Sequence, residues 1–201
     1  MKKPIAPLLI YTVAFIVGAV LMGFEMLGSR YLFPWFGGGI GAWAGLISTV
    51  LCALAIGYFA GGVLVDRYPS PSITAGAMMA AAAYLAFVPL TADTVMSGIV
   101  STFGYGATGV LLAAGVLLLI PLTLLGTFSP VAVRLLLTST RETGRVSGRV
   151  YGISTIGNVF GTLFTTFVLI PAIGSRAITY VFATLLFVCA ASLRFGLRRS
   201  Y

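Results

Sequence analysis

Histidine is absent from the 201-residue sequence, and charged side chains make up only 8% of it. The missing imidazole removes the most frequent general base and the commonest metal ligand. The two cysteines, Cys52 and Cys189, lie inside apolar runs, so neither a disulfide nor a metal site is indicated. No Ser/His/Asp constellation and no phosphate-cradling glycine loop occur. The sequence therefore predicts no catalytic residue, no metal and no cofactor.

Hydrophobic side chains are the most abundant class in the chain. Hydrophobic residues make up 59% of the sequence, and the mean hydropathy is +1.09. This predicts a single all-α transmembrane domain over residues 1–201, with room for six helices of about 20 residues each. The net charge of +8 comes from 12 Lys and Arg against 4 Asp and Glu. In a membrane protein such an excess follows orientation in the bilayer, so we expect a lipid partner and no nucleic acid.

Six apolar runs are predicted to span the bilayer: 7–28, 42–64, 72–90, 106–126, 150–171 and 176–195. With the N-terminus inside, only Arg30 and Arg176 fall on the outer side. The inner side then receives ten basic residues: Lys2, Lys3, Arg67, Arg134, Arg141, Arg145, Arg149, Arg194, Arg198 and Arg199. Basic residues concentrate in cytoplasmic loops, so this predicts a six-helix bundle with both termini in the cytoplasm.

Glu25 lies inside the first predicted span, where an ionised carboxylate is costly. Arg30 follows five residues later, near the predicted outer interface. Two interpretations stay open from the sequence. In one, Glu25 and Arg30 form a pair that fixes helix packing. In the other, Glu25 lines a cavity for a cation or a proton.

Asp66 and Arg67 close the second predicted span. The G-x-x-x-D-R arrangement that begins at Gly62 resembles the loop between the second and third helices of major facilitator transporters, although Tyr68–Pro71 replaces the basic residues that follow there. A charge pair that sets topology at a helix end is the alternative interpretation.

Arginine dominates the predicted inner connection between the fourth and fifth spans, where Glu142 is the only acid. One interpretation is simple positive-inside bias. The other is a docking surface for anionic lipid or for the acidic face of a soluble partner. The arginines concerned are Arg134, Arg141, Arg145 and Arg149.

Glycine and proline residues recur at specific positions in the predicted spans. Gly57 and Gly61 are four residues apart, as are Gly157 and Gly161, and small residues at this spacing allow helices to approach closely. The apolar run 106–137 is too long for one span, and Pro121 and Pro130 predict a span followed by a broken extension. Two further segments, Leu32–Gly37 and Leu169–Gly174, resemble each other and indicate a repeated helix-end motif.

The order of these motifs resembles the membrane part of bacterial membrane-bound spermidine-synthase-like proteins, a fused major-facilitator/spermidine-synthase family. The matching segments cover nearly the whole chain: Glu25–Arg30, Phe33–Gly37, Trp43, Gly57–Arg67, Pro89, Pro121, Gly126–Pro130 with Arg134, Gly148–Tyr151, Ile153–Leu163 and Leu169–Gly174.

The resemblance implies a membrane domain that works with a cytosolic aminopropyltransferase-like domain of Rossmann type. The 201 residues contain no such domain, so the chain itself is not expected to be an enzyme. We expect a non-catalytic multi-pass subunit or anchor in the bacterial cytoplasmic membrane. Its expected partner is a separate soluble aminopropyltransferase-like protein or another membrane subunit.

Two other functions stay open from the sequence. A small transporter or half-transporter for a cationic small molecule such as a polyamine, working as a homodimer, would use Glu25, the Asp66–Arg67 helix end and the broken segment Pro121–Pro130. A structural subunit of a larger membrane complex would use the glycine-rich helix faces.

Overall fold

A computed structural model describes residues 5–137, 139 and 142–198, and these residues are almost entirely helical and include no strand. Five helices are long and apolar enough to cross a membrane, as the sequence predicts for an all-α membrane protein. The helices are α1 Ile5–Phe36, α2 Ile40–Arg67, α3 Pro71–Phe103, α4 Ala107–Ala114, α5 Ile120–Gly126, α6 Phe128–Leu136, α7 Thr143–Phe164 and α8 Ile170–Arg198, with π-helical turns at Gly115–Leu119 and Thr165–Leu169.

The last of the five long segments, Thr143–Gly196, contains 54 residues and reverses direction at Gly174. The backbone there is non-helical, with φ 74° and ψ 160°. Before Gly174 the chain runs parallel to α1, because Gly157 meets Phe15 and Gly161 meets Ala19.

After Gly174 the chain runs antiparallel to α1, because Thr179 meets Tyr31 and Gly196 meets Leu9. The described residues therefore form six helical arms. Arms 1 to 3 are α1, α2 and α3, and the other three are residues 107–136 (arm 4), 143–173 (arm 5) and 175–198 (arm 6).

Positive-φ glycines end arms 1, 3 and 5. Gly37, Gly104 and Gly174 have φ of 72°, 71° and 74°, a region that L side chains rarely adopt and that glycine enters readily. Gly37 and Gly174 close the two similar segments Leu32–Gly37 and Leu169–Gly174, so the sequence similarity coincides with a shared backbone geometry.

Close backbone contacts at glycine pair the arms. A Cβ placed on Gly157 would lie 2.2 Å from the carbonyl oxygen of Phe15, and one on Gly161 would lie 2.1 Å from that of Ala19. Arms 1 and 5 thus touch backbone to backbone. In the same way, Cβ atoms on Gly57 and Gly61 would lie 2.5 and 2.8 Å from backbone atoms of arm 4. Close approach gives van der Waals contacts that lipid cannot match.

Arm 1 is the centre of the bundle, because it contacts every other arm. Phe24 and Leu27 on arm 1 are fully buried, and Leu46, Leu118 and Ile178 extend this core into arms 2, 4 and 6. Large apolar side chains such as those on the outer faces of arms 2 and 5 stay exposed, as expected where lipid is the solvent.

The helices extend beyond the predicted spans. The predicted connection 91–105 is a turn at Gly104–Gly106, which places Asp93 within α3, and α7 begins at Thr143, seven residues before the predicted span. Hydropathy marks the hydrocarbon depth, whereas a helix continues through the headgroup region because it satisfies its own backbone hydrogen bonds. The sequence predicts a broken extension after the span in arm 4, but Ala107–Leu136 runs as one helical segment of 30 residues. A π-helical turn at Gly115–Leu119 precedes Pro121, and Thr127, between α5 and α6, keeps helical backbone angles of φ -61° and ψ -20°.

We predict that Gly161→Ala lowers the free energy of unfolding by about 1–3 kcal/mol, because the new methyl group overpacks the contact with arm 1. Gly152 is the control, because it is an exposed glycine of the same helix with open space around its Cα. Gly152→Ala should be neutral or stabilising by up to about 1 kcal/mol. Unfolding by SDS in mixed micelles, followed by circular dichroism, measures both. Equal effects of the two substitutions would contradict the proposed packing.

Candidate functional site

The alternating directions of the arms sort the arginines to two ends of the bundle. The end that holds the start of arm 1 and the finish of arms 2, 4 and 6 is here called the basic end. Five arginines there are exposed: Arg67, Arg134, Arg145, Arg149 and Arg194, and Arg198 ends α8 at the same end. The opposite end holds Arg30 and Arg176. Lys2, Lys3, Arg141 and Arg199 lie outside the described residues.

The arginines of the predicted docking surface lie on helices. Arg134 lies on α6, and Arg145 and Arg149 lie one turn apart on the first part of α7. Residues four apart share one face of a helix, so Arg145 and Arg149 present their guanidinium groups on the same side. Because α6 packs against α7, the three arginines lie on two adjoining helices at the basic end.

Asp66 and Arg67 are both exposed at the end of α2. No ion pair within 4 Å joins these two side chains, and the Arg67 guanidinium carbon instead lies 5.6 Å from the centroid of the Tyr68 ring. Consecutive helical residues point about 100° apart, which explains the separation. The arrangement is a cation–π contact at a helix end, with the Asp66 carboxylate open to solvent.

Glu25 is buried in α1, with 7% of its surface exposed, whereas Arg30 is exposed. Within the described part of the chain no basic side chain lies within 4 Å of the Glu25 carboxylate, so the Glu25–Arg30 pair is not made. Five residues along a helix separate two side chains by about 140° around its axis, which directs Glu25 into the bundle and Arg30 away from it. Glu25 is therefore an acid in an apolar core.

A pocket of about 450 Å³ lies at the end opposite the basic end. Its polar lining comes from three arms that are distant in sequence: Arg30 and Tyr31 from arm 1, Asp93 from arm 3, and Ser175 and Arg176 from arm 6. Pro34 and Trp35 complete it. We call it the Arg30–Arg176 pocket.

Two polar contacts hold the Arg30–Arg176 pocket together. The Arg176 guanidinium donates to the Asp93 carboxylate, which joins arm 6 to arm 3. Beneath it, the Tyr31 and Thr179 hydroxyl oxygens lie 3.0 Å apart in a buried hydrogen bond that joins arm 1 to arm 6. The buried hydrogen bond fixes arm 1 against arm 6, whereas the solvent-exposed ion pair adds a weaker link between arm 6 and arm 3.

The pocket was not predicted from the sequence, although the sequence contains a signal for it. Arg30 and Arg176 are the two basic residues assigned to the outer side, and Asp93 is the one acid in the second outer connection. Charges are so scarce that three on one side of a six-helix bundle have few other partners. The same scarcity holds for metal ligands, because the described residues contain no group of three His, Cys, Asp or Glu side chains.

Comparison of the chain with protein-family models, with curated proteins and with solved structures gives no match. The resemblance to spermidine-synthase-like membrane proteins therefore stays an expectation drawn from the motifs themselves.

Proposed function

We propose that this chain is a non-catalytic, multi-pass membrane subunit or anchor that docks a partner through its basic end. One observation carries the proposal: five exposed arginines lie at the basic end, together with Arg198 at the end of α8, whereas two of the described arginines lie at the opposite end. Because basic residues favour the cytoplasmic side of a membrane, the proposal includes six membrane crossings, with the basic end and both termini facing the cytoplasm of a bacterial cell.

The placement of Arg145 and Arg149 supports docking rather than orientation alone. Their helix, α7, packs against the central arm 1 from Ser154 to Gly161, which anchors the helix that carries these two exposed side chains. An exposed guanidinium pair on one helix face suits bidentate contacts to carboxylates on a protein surface. The partner class that the resemblance implies is a soluble aminopropyltransferase-like protein with an acidic face, and another membrane subunit is the alternative.

The topology predicts which turns can be reached from outside the cell. In a Cys52→Ala/Cys189→Ala background, single cysteines at Gly38 and Tyr105 should react with a membrane-impermeant maleimide in intact cells. Cysteines at Pro69 and Ser139 should react only after permeabilisation. The reverse pattern would place the basic end outside and would contradict the orientation.

Charge reversal at the basic end tests the docking. A partner chain should cross-link to the wild-type protein and co-purify with it in mild detergent. We expect Arg145→Glu combined with Arg149→Glu to lower the recovered amount of this partner by at least about tenfold. Arg145→Lys combined with Arg149→Lys keeps the charge and should retain most of the partner. Mass spectrometry identifies and quantifies the captured chain. The absence of a partner in the wild type, or full recovery with the charge-reversed variant, would contradict docking.

Glu25 favours a second candidate function, a transporter or half-transporter for a cationic small molecule such as a polyamine. An acid inside membrane-spanning helices usually belongs to an ion or substrate pathway. The supporting observation is that the Glu25 carboxylate is buried and has no basic group within 4 Å among the described residues.

If this second function holds, Glu25→Gln should lower uptake of labelled spermidine into proteoliposomes by at least about tenfold, because the neutral amide no longer attracts a cation. Glu142→Gln is the matched control, because Glu142 is an exposed acid at the basic end. Wild-type protein without uptake, or a Glu25→Gln variant with unchanged uptake, would exclude the transporter and leave the anchor proposal standing.

A further inference from the structure

We propose that the Arg30–Arg176 pocket binds the oxyanion of a ligand, a phosphate or carboxylate group, next to an apolar part of the same ligand. This binding site lies at the end of the bundle opposite the docking surface and is independent of it.

The balance of charge in the pocket favours an anion. Two guanidinium groups, those of Arg30 and Arg176, line it together with a single carboxylate, that of Asp93. The Asp93 carboxylate is paired with Arg176. Arg30 has no acid within 4 Å in the described part of the chain, which leaves one positive charge in the pocket without a counter-ion from these residues. A guanidinium offers its donors in a planar fork that matches the oxygens of phosphate and carboxylate.

The helix backbones around the pocket are also joined before any ligand arrives. Arg30 is adjacent in sequence to Tyr31, whose buried hydrogen bond to Thr179 joins arm 1 to arm 6. Arg176 is tied to arm 3 through Asp93, and arm 6 starts at Ser175, beside the pocket. The start of a helix carries a partial positive charge that adds to the attraction for an anion. A preformed site loses less conformational entropy on binding.

The remaining wall selects for an apolar neighbour of the oxyanion. Half-buried Trp35 and exposed Pro34 provide this wall. The volume of about 450 Å³ falls within the range of roughly 300–1,000 Å³ that is typical of small-molecule sites. Trp and Tyr are enriched at the headgroup level of a bilayer. The oxyanion can therefore come from an anionic lipid headgroup or from a soluble organic phosphate or carboxylate, and the experiment separates the two sources.

Trp35 provides the signal for a binding experiment. The chain has two tryptophans, so a Trp43→Phe background leaves Trp35 as the only one. The protein is placed in phosphatidylcholine nanodiscs at constant ionic strength, and Trp35 emission is followed in two titrations. One adds soluble phenyl phosphate, with phenol as the probe that lacks an oxyanion. The other raises the fraction of phosphatidylglycerol in the nanodisc.

We expect a saturable change in Trp35 emission with phenyl phosphate, with phosphatidylglycerol or with both, and none with phenol. Response to phosphatidylglycerol alone identifies a lipid headgroup as the source, and response to phenyl phosphate identifies a soluble ligand. Arg30→Gln should weaken the apparent affinity at least about tenfold, because a charge-assisted contact is lost. The affinity of Arg30→Lys should lie between those of Arg30→Gln and the parent protein, because lysine keeps the charge and loses the planar fork.

Arg67→Gln is the matched control, because it removes one exposed arginine from the basic end. Its affinity should stay within about twofold of the Trp43→Phe protein. Three results would overturn the proposal: no saturable response to either oxyanion probe, equal affinity of Arg30→Gln and its parent, or an equal loss in Arg67→Gln, which would indicate non-specific charge attraction.

Discussion

The contact between the backbones of arms 1 and 5 is the constraint on which the rest of the bundle depends. Lipid removes most of the hydrophobic drive for helix association, so the helices gain chiefly by approaching closely enough for many van der Waals contacts. Gly157 and Gly161 permit that approach on one side of arm 1, and Gly57 and Gly61 permit it between arms 2 and 4. Arm 1 then contacts every other arm and sets the position of each.

The turns at the ends of the arms decide at which end of the bundle each charged residue lies. Arms 1, 3 and 5 end at glycines with positive φ, and each following arm returns along the bundle. Arginines that are far apart in sequence are thereby brought to a common end. The reversal at Gly174 is decisive, since a straight continuation of α7 would carry Arg176 away from Asp93 and would leave Arg194 far from the basic end.

The two ends offer different chemistry as a result. The basic end presents exposed guanidinium groups on helices that pack against the central arm 1. Such a surface suits contact with a broad acidic surface. The opposite end has few charges, and its Arg30, Asp93 and Arg176 line one pocket with an aromatic wall, which suits a small ligand. Glu25 belongs to neither end, because it lies in the core between them. A single bundle thus separates an exposed basic surface, a pocket and a buried acid.

The sequence by itself determined the class of the protein, the approximate helices and the segregation of arginine, because these features depend on local hydropathy, backbone preference and charge order. It did not determine the helix ends, since helices continue into the headgroup region beyond the apolar run. Only the tertiary structure decided that Glu25 and Arg30 point to different sides of α1, that Asp93 lies within α3, and that it pairs with Arg176. Those neighbours are set by how arms pack and reverse, which a linear pattern of residues does not encode.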